Sequence, residues 1–240
     1  MIDVQNLTKL YGELVAVDAL SFRVSPGEVL GLVGPNGAGK TTTLRSLVGI
    51  VRPTRGTITI GGHDLERDPV AAKRLLAFMP DEPHLFDYLT VEEHLRFTAR
   101  LYQAPDVERR LPALLKELEL AEKAGALPAE LSRGMRQKLV IACGLLHDPQ
   151  VLLFDEPLTG LDPAGIRRMK QTIVERARSG AAVLLSSHLL HLVEEICTRV
   201  LILDKGRMVA IGTIDEILAG RPDLAGKSLE DIFLALTGAA

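Results

Sequence analysis

Hydrophobic positions fall into two rhythms along this chain, and the change from one to the other marks where strands give way to helices. From Asp3 to Val24, short apolar runs broken by Tyr11-Gly12 predict antiparallel strands, and a first strong strand follows over Glu28 to Val33. A glycine-rich turn and a helix over Thr42 to Ile50 come next. Strand-like runs at Thr57 to Ile60, Leu75 to Met79, Val151 to Phe154, Ala182 to Ser186 and Arg199 to Leu203 then alternate with helical patterns. Such alternation predicts a largely parallel sheet covered by helices. Val151-Leu152-Leu153-Phe154 is apolar without a break, as a parallel strand buried on both faces requires.

From about Pro83 to Pro128 the strand rhythm stops. Thr90 and Glu93 have capping-box spacing, and Val91, Leu95, Ala99 and Tyr102 share one helical face. A second helix over Val107 to Leu120 sets leucines against charges that read as a solvated face. The expected organisation is an α/β core of residues 1–82 and 150–240, beginning with an antiparallel β subdomain, and a helical subdomain inserted over about 83–149.

Composition narrows the setting. The 240 residues, at roughly 150 per domain, suit one large domain or one domain with a modest insertion. With 47% hydrophobic and 25% charged residues the chain is an ordinary globular one, which excludes disordered, collagen-like and disulfide-dense classes. A net charge of −3 supplies no field for a nucleic-acid backbone, so no nucleic-acid partner is expected. Cys143 and Cys197 lack metal-site spacing and read as small buried hydrophobes in a reduced, intracellular setting. The start, Met1 to Gln5, has no signal-peptide character, and Asn6-Leu7-Thr8 is then a chance match to a glycosylation sequon. The most apolar stretch, Ala181 to Val193, is broken by Ser186, Ser187, His188 and His191 and is far shorter than the roughly 20 residues that span a bilayer. Direct membrane insertion is not expected.

Gly34-Pro35-Asn36-Gly37-Ala38-Gly39-Lys40-Thr41 fits G-x-x-x-x-G-K-[ST] throughout, between a strand and a helix. Glycines permit a tight loop whose backbone N–H groups converge on phosphate oxygens, and the N-terminus of the helix expected to begin at Thr42 adds partial positive charge. Lys40 can reach β- and γ-phosphates, and Thr41 can offer its hydroxyl to Mg²⁺. A dinucleotide loop would want an acid about 20 positions on, where Arg52, Pro53, Thr54 and Arg55 stand instead. The strand Val151 to Phe154 runs into Asp155-Glu156, and ligands of open α/β sheets gather at strand carboxyl ends. Asp155 suits the Mg²⁺ shell. Glu156, next along an alternating strand, is expected to point elsewhere and polarise an attacking water as general base.

Leu131-Ser132-Arg133-Gly134-Met135, at a helix start before Asp155, resembles the L-S-G-G-Q signature of the ATPase subunits of ABC transporters. Further pieces follow in that family's order over essentially the whole chain. Tyr11 matches the aromatic residue that stacks on adenine, Leu161-Asp162 the D-loop, and His188 the switch histidine. The resemblance implies a P-loop NTPase fold of the α/β class, with ATP and Mg²⁺ as cofactors. It also implies a head-to-tail dimer with a second ATPase subunit, in which each nucleotide lies between the phosphate loop of one subunit and Ser132 and Gly134 of the other. A transmembrane permease would be the partner, and the cytoplasmic face of the membrane the location. Ser132 has its own rationale as an N-cap or phosphate contact, and Gly134 allows close approach of an anion to the backbone. His63, His84, His94 and His147 read as surface or satisfied structural residues, and His188 with His191 lacks a third ligand for a metal.

The chain departs from the family at several points. The Q-loop glutamine is replaced by Asp81 in Phe78-Met79-Pro80-Asp81-Glu82-Pro83, and a carboxylate there can serve a hard cation but repels a γ-phosphate. Asp81 is kept as a ligand on the Mg²⁺ or water side. Arg133 and Met135 replace the glycine and glutamine of the signature, and Leu158-Thr159-Gly160 varies the D-loop approach. The stretch Ser228 to Gly238 is similar to the C-terminal helix of ATPases that drive exporters with six-helix membrane subunits. Two rival readings stand beside transport: a soluble ATPase that assembles or remodels a protein partner, and a small-molecule kinase, which leaves the signature helix without a use.

Overall fold

The computed structural model describes residues 1–219, 224 and 226–238. Two sheets organise them. The first is antiparallel, in the order β2 (Leu14–Val24), β1 (Ile2–Tyr11), β4 (Arg55–Ile60), β5 (His63–Asp64). The second runs β10 (Arg207–Gly212), β9 (Arg199–Asp204), β3 (Val29–Val33), β8 (Ala182–Ser186), β7 (Val151–Asp155), β6 (Leu76–Met79). All neighbours in this sheet are parallel except β9 and β10.

The sequence placed the Thr57 to Ile60 run among the parallel strands, whereas β4 pairs antiparallel with β1, Ile2 opposite Ile60. The reason is that its apolar residues Ile58 and Ile60 are needed by the core under the first sheet, with Ile2 and Val4. Helix α1 (Lys40–Leu47) starts earlier and stops sooner than the pattern suggested, because Gly39 forms its N-cap and Gly49 turns the chain at φ 71°. The β9–β10 hairpin and the short helix α2 (Pro69–Arg74) escaped the reading, although Asp68 before Pro69 is a legible cap and Asp68 does accept from Ala71 N–H.

The central sheet splits its side chains between two cores with period two. On β7, Val151 and Leu153 join the core shared with α1 and the first sheet, while Leu152 and Phe154 join the core under the helices of the opposite face. Strands β8 and β9 divide in the same way, Leu184 and Leu201 to one side, Leu185 and Ile202 to the other. This is why their sequences show continuous apolar runs.

Between β6 and β7 lie α3 (Val91–Tyr102), α4 (Val107–Glu117) and α5 (Arg133–Leu146), with no strand. The Thr90–Glu93 capping box forms, both bonds present. Helices α6 (Pro163–Arg178) and α7 (Leu190–Ile196) follow β7 and β8, α8 (Ile214–Ala219) follows β10, and α9 (Leu229–Thr237) caps on Ser228 and packs on α7 through Leu229 and Ile232. Among the described residues no helix is long and apolar enough to cross a membrane.

Candidate functional site

The loop after β3 wraps the base of a cleft of about 670 Å³, lined by Asn36, Gly37, Ala38, Gly39, Lys40, Thr41 and Thr42 on one wall and by Asp155 and Glu156 on another. Two glycines explain the loop's shape. A Cβ on Gly34 would lie 2.5 Å from the Leu203 carbonyl oxygen, so β9 closes against the loop there. Gly39 sits at φ 103°, and a Cβ on it would lie 2.5 Å from the Ala16 carbonyl oxygen of β2. The loop is therefore clamped between both sheets, and Ala38 carbonyl accepts from Gly206 N–H at 3.1 Å. The first-turn N–H groups of α1 have no intrahelical acceptors and open onto the cleft.

Lys40 Nζ donates to Gly34 O at 2.6 Å and Pro35 O at 3.1 Å, which folds the side chain back over the loop. Desolvation by burial lowers its pKa, and the nearby Glu156 and Asp155 carboxylates oppose that shift. A lysine held over a phosphate cradle and faced by two carboxylates is a strong anion contact in waiting.

Asp155 ends β7, is buried, and accepts a 2.6 Å hydrogen bond on Oδ1 from Ser186 Oγ. Glu156 leaves the strand altogether: its φ is 51°, in the left-handed region. Its aim is set by that turn rather than by strand alternation, and it reaches the same cleft as Asp155. Glu156 Oε2 accepts from His188 Nδ1 at 2.8 Å and from His188 N–H at 3.3 Å. Acid and imidazole thus form one unit, with the histidine ring largely exposed.

Tyr11 ends β1 on the rim of the cleft, about half exposed, with Lys9 Nζ 4.9 Å from its ring centroid. Asp81, in the loop after β6, also lines the cleft and is paired with Arg133 Nη2 at 3.5 Å. Gln137 of α5, nearly fully buried, donates to Pro80 O at 3.2 Å and holds that loop against the helix.

Ser132, Gly134 and Asp162 are brought elsewhere. Ser132 caps α5, accepting from Met135 N–H at 3.2 Å, and Asp162 caps α6, accepting from Gly165 N–H at 2.9 Å. A Cβ on Gly134 would come within 3.1 Å of Gly160 O, so α5 and the loop after β7 meet there. None of the three lines the cleft that holds Lys40.

These features have counterparts in known proteins. A family profile described as ABC transporter matches residues 17–159. The chain is 36% identical to the ABC-type transporter ATP-binding protein EcsA of Bacillus subtilis (strain 168), with 99% of this chain and 96% of that protein covered. The chain belongs to the ABC transporter family. It is likewise 40% identical to the Nod factor export ATP-binding protein I of Paraburkholderia xenovorans (strain LB400), over 91% of this chain and 72% of that protein. Among solved structures, one described as the ATP binding subunit of an ABC transporter superposes with a TM-score of 0.94 at 38% identity, covering 98% of this chain and 99% of the other. Another, the dimeric post-hydrolysis state of the ATP-binding cassette MJ0796 bound to ADP and Pi, has a TM-score of 0.81 at 25% identity, covering 89% and 99%. As a member of that family the chain is an ATP-binding ATPase with the P-loop fold.

Mg²⁺ is implied by the ABC family, and the donor set fits it. Among the described residues no group of three His, Cys, Asp or Glu side chains can cage a metal ion. The side chains beside the phosphate loop, Thr41 on α1 and Asp155 at the end of β7, offer oxygen. That suits a hard cation that takes most of its shell from nucleotide phosphates and water.

Sequence reasoning passed over three features that shape this ABC site. Ser186 was legible only as the end of a strand, because its bond to Asp155 depends on β7–β8 register. Gln137 and the Asp81–Arg133 pair join segments far apart in the chain. His94 falls where expected, a satisfied structural histidine: Nε2 accepts from Phe86 N–H at 2.9 Å, which leaves the proton on Nδ1 to donate to Thr90 O at 2.8 Å. Burial pushes the Cys143 thiol up to about 11 and raises that of Cys197 as well, so both stay protonated and inert.

Proposed function

We propose that the chain hydrolyses ATP to ADP and phosphate in a sandwich of two subunits and powers export of a substrate through a separate transmembrane permease. The observation that carries this reading is the division of the site: the phosphate loop, Asp155 and Glu156 share one cleft, while Ser132 and Gly134 lie outside it. A second subunit, identical or related, supplies the missing wall. Lys40 and backbone N–H groups of the loop from Gly37 to Thr42 bind the phosphates and offset charge that develops on them. Thr41 and Asp155 would hold Mg²⁺, which supplies charge neutralisation at the β- and γ-phosphate oxygens. Glu156 takes the proton of the attacking water. His188, with Nδ1 committed to Glu156, offers Nε2 to the γ-phosphate, a donor there when the ring is an imidazolium. Asp162 holds the D-loop as the cap of α6. With a core of residues 1–82 and 150–240 and a helical subdomain of 83–149, the signature belongs to the helical subdomain.

Asp81 stays in this scheme as a water- or Mg²⁺-side ligand. The repulsion a carboxylate exerts on a γ-phosphate is offset by Arg133, whose guanidinium lies against it. Replacing Asp81 with alanine is expected to raise the Mg²⁺ concentration needed for half-maximal phosphate release about tenfold. Unchanged Mg²⁺ dependence would remove the residue from the site.

Tyr11 stacks the adenine on the ring face opposite Lys9. Removing one base–aromatic stack costs about 1–3 kcal/mol, so Tyr11→Ala is expected to weaken ATP binding about tenfold or more in calorimetry while leaving tripolyphosphate binding alone. Equal loss for both ligands would place Tyr11 in the fold of the cleft instead.

The permease would dock on the helical part, where Phe86, Tyr88, Phe97 and Leu101 are each exposed and Phe86 packs edge-on against Phe97. Through it the chain would sit at the cytoplasmic face of the membrane. A tagged chain purified from detergent-solubilised membranes should bring down a polytopic membrane protein. Recovery of a soluble protein alone would favour the assembly or remodelling reading.

A further inference from the structure

We propose that Ser186 is a positioning residue for hydrolysis: its hydroxyl sets the carboxylate of Asp155 and the backbone turn of Glu156 in one step. Ser186 is fully buried at the last position of β8, and the register of the sheet sets it opposite Asp155 on β7. A serine hydroxyl has one proton and two lone pairs. The proton goes to Asp155 Oδ1 at 2.6 Å, the short distance of a charge-assisted bond. A lone pair accepts the Glu156 N–H at 3.2 Å, and that N–H is shared with the Ser186 carbonyl, also at 3.2 Å.

The geometry has two consequences. With Oδ1 held by Ser186, the carboxylate plane of Asp155 is fixed, and its second oxygen has no protein donor among the described residues. An oxygen in that position is free for a cation. Glu156, meanwhile, adopts φ 51°, a conformation that a residue bearing a Cβ keeps only when its surroundings impose it. The two acceptors on Ser186 anchor the N–H at the start of that turn, and the turn is what brings the Glu156 carboxylate to His188. One hydroxyl therefore couples the aim of the acid expected to hold the ion to the aim of the acid expected to take the water's proton. Ser186 is fully buried and off the cleft lining, so it acts through these two neighbours.

The inference rests on the reading of Asp155 as an ion ligand, and the test separates the two. Mn²⁺ affinity in the presence of ADP is measured by electron paramagnetic resonance on the full chain, alongside phosphate release, for wild type, Ser186→Ala, Ser186→Thr and Ser186→Cys. Removing an outer-shell partner of a metal ligand typically costs 10–100-fold in affinity or activity. Ser186→Ala is therefore expected to lose about tenfold in Mn²⁺ affinity and at least as much in kcat, with melting temperature and nucleotide affinity without metal close to wild type. Ser186→Thr, which keeps the hydroxyl, should recover most of both, and Ser186→Cys, matched in size but a weak donor, should behave like alanine. Wild-type Mn²⁺ affinity and kcat in Ser186→Ala would overturn the assignment, as would cysteine performing as well as serine. If wild type itself binds Mn²⁺ no better with ADP than ADP alone does, the ion-ligand reading fails before Ser186 is at issue.

Discussion

Glu156→Gln should bind ATP as wild type does, accumulate as an ATP-bound dimer, and hydrolyse about 10²–10⁴-fold more slowly, the range by which a positioned general base contributes. The amide keeps the size and the acceptor oxygen of the carboxylate, so the 2.8 Å bond from His188 Nδ1 can persist. What it loses is the capacity to accept a proton from water at neutral pH. The contacts proposed to bind the triphosphate, Lys40 and the loop amides, are untouched, and in the proposed sandwich the two subunits should stay closed while the γ-phosphate is intact. Light scattering with ATP, compared with ADP, reads the dimer, and phosphate release reads the chemistry. Normal steady-state hydrolysis by this variant would contradict the role given to Glu156. A His188→Ala variant distinguishes the partners further, since loss of the imidazole leaves a base in place and should slow turnover less than loss of the base itself.

The parts of this site that are readable in sequence are those made by consecutive residues. The phosphate loop is one stretch between a strand and a helix, and each glycine that the loop needs is visible as a glycine. Asp155 was legible because a strand buried on both faces must be apolar, and the first acid after it marks where burial ends. Pairing is different. Thr57 to Ile60 reads the same whether it joins a parallel or an antiparallel sheet, and only the demand of the core under β1 decides. Strand β10 carries exposed Arg207, Met208 and Val209, so it lacks the apolar run that announced its neighbours. Ser186 meets Asp155, and Arg133 meets Asp81, only after β-sheet register and helix docking have brought them together. Glu156 was assigned its role on strand alternation, yet a left-handed turn delivers it, a conformation that its side chain does not advertise.

Two inactive variants should restore hydrolysis when mixed. Lys40→Ala removes the phosphate contact inside the cleft, and Ser132→Arg places a long cation at an exposed helix start that lies outside it. Each variant alone should lose hydrolysis, because in a homodimer both sandwiches carry the same defect. The change at Ser132 also removes a helix cap, at a cost of about 1 kcal/mol, too little to unfold the chain. In a mixed dimer the geometry sorts the defects: the loop that has lost Lys40 faces the helix that has lost Ser132 in one sandwich, and the unaltered loop faces the unaltered helix in the other. Random pairing of equal amounts makes about half of the dimers mixed, each with one sound sandwich, so about a quarter of the wild-type sites return. Isolating mixed dimers with two different affinity tags raises that share and reads it directly. A cleft complete within one subunit predicts the opposite result, since neither variant could lend the other anything, and a mixture as inactive as its components would show that the wall formed by Ser132 and Gly134 is not supplied by the second chain.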